Sequence, residues 1–77
     1  MKKLEKPMIV LNFKCYGESI GPNSLKLAKV AEKISNDLGL TIVVAPTYVD
    51  LQKVASEVSI PVFAQHFDPI ELGAHTG

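Results

Sequence analysis

Residues 40–45, LTIVVA, form a continuous apolar and β-branched run without alternation. Strands of this kind are covered on both faces, which is the usual situation inside a parallel sheet. Two other segments look like strands: residues 8–13, MIVLNF, and residues 60–67, IPVFAQHF, where Pro61 is acceptable only near the start. Between the first two, Leu27, Ala31, Ile34 and Leu38 fall at helical offsets, and after the second so do Leu51, Val54, Ala55 and Val58. The punctuation agrees. Pro22 suits a first helical turn, Gly39 suits a left-handed stop, and Thr47 followed three residues later by Asp50 is a capping signal. The order predicts an α/β fold, a β-α-β-α-β segment of parallel strands with right-handed crossovers. At 77 residues it is one domain at most.

This pattern fits half of a doubly wound sheet as well as an arc of an eightfold barrel. Neither nucleotide-binding fingerprint is present: no G-x-G-x-x-G follows the first strand, and no G-x-x-x-x-G-K-[ST] occurs anywhere. Composition narrows the partners. The chain is 47% hydrophobic and 21% charged, as expected of a soluble globular protein. Eight lysines balance eight acids and arginine is absent, so nothing marks a nucleic-acid or polyanion footprint. The apolar run at residues 8–11 is too short for a secretory signal, and no run approaches the roughly 18 residues of a membrane span. A single cysteine, Cys15, excludes an internal disulfide and fits a reducing cytoplasm.

The first strand breaks its own rule. After MIVL come Asn12 and Lys14, two residues apart, so on an extended chain both side chains leave the same face. Active-site residues of parallel α/β folds sit where strands end and loops begin. A lysine there can attract an anionic substrate and stabilise negative charge that develops during reaction. An amide two residues earlier can orient the lysine or bond the substrate. The plainer alternative is that the strand ends at Phe13 and Lys14 snorkels to water.

The remaining polar residues carry less. His66, Asp68 and His75 match no zinc-ligand spacing, so no metal site is expected. Cys15 is expected to be a small buried residue. Glu18 and Ser19 belong to the turn before the first helix, and Lys26, Lys29 and Lys33 to a solvated helical face.

Four motifs, VLNFKCYGES, IVVAPTYVDL, VFAQHFD and GAHTG, occur in the order found in triosephosphate isomerases. The chain resembles that family from Met8 to Gly77, and its short archaeal form in particular, where His66 after AQ and His75 in G-A-H-T-G are at home. The resemblance implies that residues 1–77 are the N-terminal arc of a (β/α)8 barrel, with strands one to three and helices one and two. It implies an aldose–ketose isomerase of glycolysis and gluconeogenesis, cytoplasmic and without a cofactor, that interconverts dihydroxyacetone phosphate and glyceraldehyde 3-phosphate through an enediolate. Asn12, Phe13 and Lys14 would then form the substrate-contacting N-x-K triplet, with Lys14 beside the triose phosphate. Gln65 and Thr76 would lie at the subunit interface of a homo-oligomer, a dimer or a tetramer.

The family's glutamate base and neutral electrophilic histidine belong to later strands, so the chain by itself is expected to be inactive. His66 lies one strand too early to be the electrophile, and His75 lies in the interface loop. Two other classes stay open: a module that holds a phosphorylated ligand without chemistry, and a fragment that docks into a complementary partner. A histidine-bearing strand and a later glutamate encoded beyond GAHTG would favour the enzyme. In the isolated arc both helices fall on one side of the sheet, which leaves the opposite face, with Val10 and Val62 or their alternates, bare.

Overall fold

The computed structural model describes residues 8–76. Strand β1 (Met8–Asn12) leads through a short 3-10 turn (Gly17–Ser19) into helix α1 (Pro22–Leu38), followed by strand β2 (Thr41–Ala45) and helix α2 (Tyr48–Glu57). The two strands pair in parallel, from Met8 opposite Thr41 to Asn12 opposite Ala45. The expected α/β order and parallel pairing therefore hold through α2. Pro22 opens α1, and Gly39 closes it at φ 67°, a left-handed conformation that costs glycine nothing.

The third strand is much shorter than the 60–67 expected. It makes one parallel bridge, Val62 with Val44, in which Val44 N–H donates to the Pro61 carbonyl (3.2 Å) and Phe63 N–H to the Val44 carbonyl (2.9 Å). Two prolines bound it. In this ladder the next donors would be the nitrogen of residue 61 on one side and that of residue 46 on the other, and Pro61 and Pro46 have no N–H to give. The pairing stops after a single rung.

The core lies between the sheet and the helices: Phe13, Ala28, Ala31, Ile42, Val44, Val54 and Ile60 are buried together, with Leu27, Leu40, Val58 and Val62 packed against them. Half of the expected α1 stripe holds: Ala31 is buried and Leu27 packs against the core, whereas Ile34 and Leu38 are exposed and Ser24 and Ala28 face inward instead. Small side chains let the helix backbone approach the sheet closely, and that closeness outweighs burial of the larger residues on the flank. In α2, Val54 is fully buried and Ala55 is exposed.

Polar contacts fix the helices to each other. The Thr47–Asp50 pair is not a capping box. The Thr47 hydroxyl donates to Asp50 Oδ2 (3.0 Å), and the same oxygen accepts the N–H of Gly21 (3.0 Å), the residue that caps α1. One carboxylate thus sits at the positive ends of two helices, where the peptide dipoles favour it. At the other end Lys29 is more than a solvated charge: its ammonium donates to the Glu57 carbonyl in the last turn of α2, and Glu32 accepts the Ser59 N–H (2.6 Å) and hydroxyl (2.8 Å). Among the described residues, no helix is long and apolar enough to cross a membrane.

β1 is exposed throughout. Ile9 and Val10 leave opposite faces of the strand, yet are 50% and 52% exposed. Val10 is exposed as expected, but Val43, its register partner on the same face, is fully buried, so that face is not bare over β2. Val62 is turned toward the helices by its pairing with Val44, and Phe63 is the exposed alternate. An open strand edge with apolar side chains on both faces invites pairing with another chain. The isolated chain is expected to self-associate, with sedimentation showing species larger than a monomer as concentration rises. A cooperative melt of a stable monomer would contradict this.

Candidate active-site edge

The parallel ladder does not stop at Asn12. Phe13 N–H donates to the Ala45 carbonyl (3.0 Å), and the Phe13 ring, 2% exposed, enters the helix-side core. The next residue departs. Lys14 has φ 57°, in the left-handed region that non-glycine residues seldom occupy. The same-face argument for Asn12 and Lys14 required an extended chain, so it does not carry over to Lys14. What joins the two residues is instead a hydrogen bond: Lys14 N–H donates to Asn12 Oδ1 (2.9 Å). A side chain that folds onto the backbone two residues ahead is a standard way to make a turn with Asn.

Two further side chains hold this turn. Gln65 reaches it across the sheet, its Nε2 donating to the Lys14 carbonyl (3.2 Å) and to the Ala45 carbonyl (3.0 Å). Ser19, buried in the 3-10 turn, donates to the Phe13 carbonyl and lies 3.2 Å from that of Tyr16. The edge therefore gathers Asn12, Phe13 and Lys14 of the expected substrate triplet together with Gln65, which was expected at the subunit interface, and adds Ser19. A serine three residues beyond a backbone carbonyl, in a turn rich in Gly and polar residues, is the signal that could have found it. The Lys14 side chain itself is exposed, which leaves its ammonium available to a ligand.

Among the described residues no hydrogen bond brings Thr76 to this edge; it is exposed in a segment, residues 64–76, without regular structure. His66 and His75 are exposed as well. Among the described residues, no three His, Cys, Asp or Glu side chains come together as a metal site would require. Cys15 is exposed, contrary to the buried position expected, because the turn at Lys14 carries it out of the sheet. A groove of about 770 Å³ between α1 and α2, walled by Leu25 and Val30, includes no residue of the Asn12–Lys14 turn.

The family model for triosephosphate isomerase matches residues 7–77. The chain belongs to the triosephosphate isomerase family. It is 55% identical over 74 residues to the triosephosphate isomerase of Methanothermus fervidus, a match covering 96% of this chain and 33% of that protein. Similar matches are to the proteins of the same name from Methanobacterium bryantii, 52% identical over 95% of this chain and 32% of the relative, and Methanocaldococcus jannaschii, 54% over 91% and 32%. The archaeal resemblance is thereby shown. The chain spans about a third of the length of these relatives.

The turn at Lys14 has a measurable cost. A non-glycine residue in the left-handed region is disfavoured by about 1–2 kcal/mol, partly offset for glycine by roughly 0.4–1 kcal/mol of extra unfolded-state entropy. Residues 8–76 joined to the remaining two-thirds of the Methanothermus fervidus isomerase give a grafted barrel in which to test this. Lys14→Gly is expected to leave its melting temperature unchanged or raise it. A clear fall would show that the conformation carries no strain.

Proposed function

We propose that the chain supplies the first strands and the Asn-x-Lys substrate site of a (β/α)8 barrel that interconverts dihydroxyacetone phosphate and glyceraldehyde 3-phosphate in the cytoplasm. The observation that carries this is the braced turn at Asn12–Lys14. It stands at the carboxyl edge of two parallel strands, where barrel enzymes place their chemistry, in a chain that matches the family along nearly its whole length.

Each residue has a distinct part. Lys14 presents a fixed positive charge to the triose phosphate and stabilises the enediolate as a proton moves between adjacent carbons. Asn12 accepts the Lys14 N–H at Oδ1 and keeps for a ligand the two donors of its amide nitrogen and the second lone pair of that oxygen. Phe13 is the anchor, its ring in the core and its N–H on β2. The general base, a glutamate, and the electrophilic histidine come from strands beyond this segment. Neither His66 nor His75 takes that role. Thr76 meets a neighbouring subunit in a homo-oligomer.

A docking role without chemistry draws on the open edge and exposed faces of β1. The two roles separate by activity. In the grafted barrel, Lys14→Met is expected to lower turnover by several orders of magnitude, since a preorganised charge contributes ~3–4 kcal/mol or more to the transition state. A variant with near-normal kcat would remove Lys14 from the mechanism. The 77-residue chain alone is expected to show no isomerisation of glyceraldehyde 3-phosphate above background, and heat-labile activity in the rigorously purified chain would contradict that. Thr76→Arg is expected to shift the grafted barrel toward monomers and to lower activity together, as read by sedimentation and turnover.

A further inference from the structure

We infer that Gln65 is a positioning residue for Lys14, acting through the backbone of the turn rather than through a subunit contact. The inference rests on the proposed role of Lys14. Gln65 is half-buried, and one nitrogen of its amide serves both the Lys14 carbonyl (3.2 Å) and the Ala45 carbonyl (3.0 Å). Those two carbonyls belong to different segments: one to the left-handed residue itself, the other to the last residue of β2. The peptide after Lys14 is thereby tied to the central strand from the side opposite β1. Asn12 fixes the N–H of Lys14 and Gln65 fixes its carbonyl, so both ends of the residue are held while its side chain stays exposed. Without the Gln65 donors, nothing described here restrains the carbonyl of Lys14. Its φ would then relax toward the ordinary right-handed or extended regions, which swings the side chain away from its position.

The test is a double-mutant cycle in the grafted barrel. Gln65→Leu keeps most of the volume and removes the donors; Gln65→Glu keeps the shape and turns oxygens toward two carbonyls, and stands in if the leucine variant does not fold. Each is made with Lys14 intact and with Lys14→Met. Expected is a fall in kcat of about 10- to 100-fold when Lys14 is present, because a displacement of about 1 Å from productive geometry can cost as much. In the Lys14→Met background the same substitution is expected to change kcat by less than about twofold, since residues that act as one unit are not additive. Equal losses in both backgrounds, or no loss in either, would overturn the inference. A loss that follows a shift to smaller species in sedimentation would assign Gln65 to the interface and overturn it too. If Lys14→Met is itself as active as the parent, the proposed role of Lys14 has failed instead. A folded, unsubstituted graft without activity refutes the functional proposal, and one that does not fold refutes the barrel arrangement.

Discussion

The carbonyl oxygen of Ala45 receives two donors, the backbone N–H of Phe13 from one side and the side-chain amide of Gln65 from the other. A carbonyl has two lone pairs, so both can be satisfied at once. Through this one atom the end of β2 sets the position of the first strand's exit and of the third segment's approach. Both consequences matter for the edge. Phe13 is drawn in line with the sheet, which places its ring in the core, and Gln65 is drawn across to the turn that follows it. Without that shared acceptor, the described side-chain tie left between the turn at Lys14 and the sheet is the bond to Asn12 at the end of β1.

Gln65 acts with its side chain because the backbone has run out of ladder. With Pro61 and Pro46 flanking the bridge between Val44 and Val62, regular pairing ends before residue 65. A longer strand would have placed backbone groups along β2, whereas a side chain can serve carbonyls on two different segments. The apparent defect of a one-rung strand is thus what frees the glutamine to brace the turn.

How far this was legible in the sequence depends on which kind of force decides each feature. Pro22 and Gly39 act locally, by fixed φ and by tolerance of positive φ, and both stand where their chemistry predicts. The α1 stripe depends on packing. Periodicity finds Leu27 and Ala31 but, weighting large side chains, also takes in the exposed Ile34 and Leu38, while close approach to the sheet brings Ser24 and Ala28 inward. The length of the third strand was encoded in two prolines, but only on knowing that residue 46 stands one step beyond the Val44 bridge. Asn12 and Lys14 do meet at the end of β1, but not for the reason period two gives: that spacing presumes an extended Lys14, and the hydrogen bond to Asn12 forms because Lys14 is not extended. Ser19 and the Gln65 bridge are long-range or turn contacts between polar side chains and carbonyls, and no periodicity records them.

The energies explain why so many bonds converge on one residue. A left-handed lysine costs about 1–2 kcal/mol, and a typical hydrogen bond returns only about 0.5–1.5 kcal/mol net. A single bond would leave the conformation in balance with its relaxed alternatives. Two bonds on Lys14 itself, from Asn12 and Gln65, return about 1–3 kcal/mol together and, with Ser19 and the buried ring fixing Phe13 beside it, shift that balance toward the observed turn. Such bracing is only as firm as the sheet it is tied to, and here the sheet has two strands, an exposed β1 and a one-rung neighbour. The strained residue that carries the proposed chemistry therefore draws its rigidity from β2, the strand to which both β1 and the third segment are bonded.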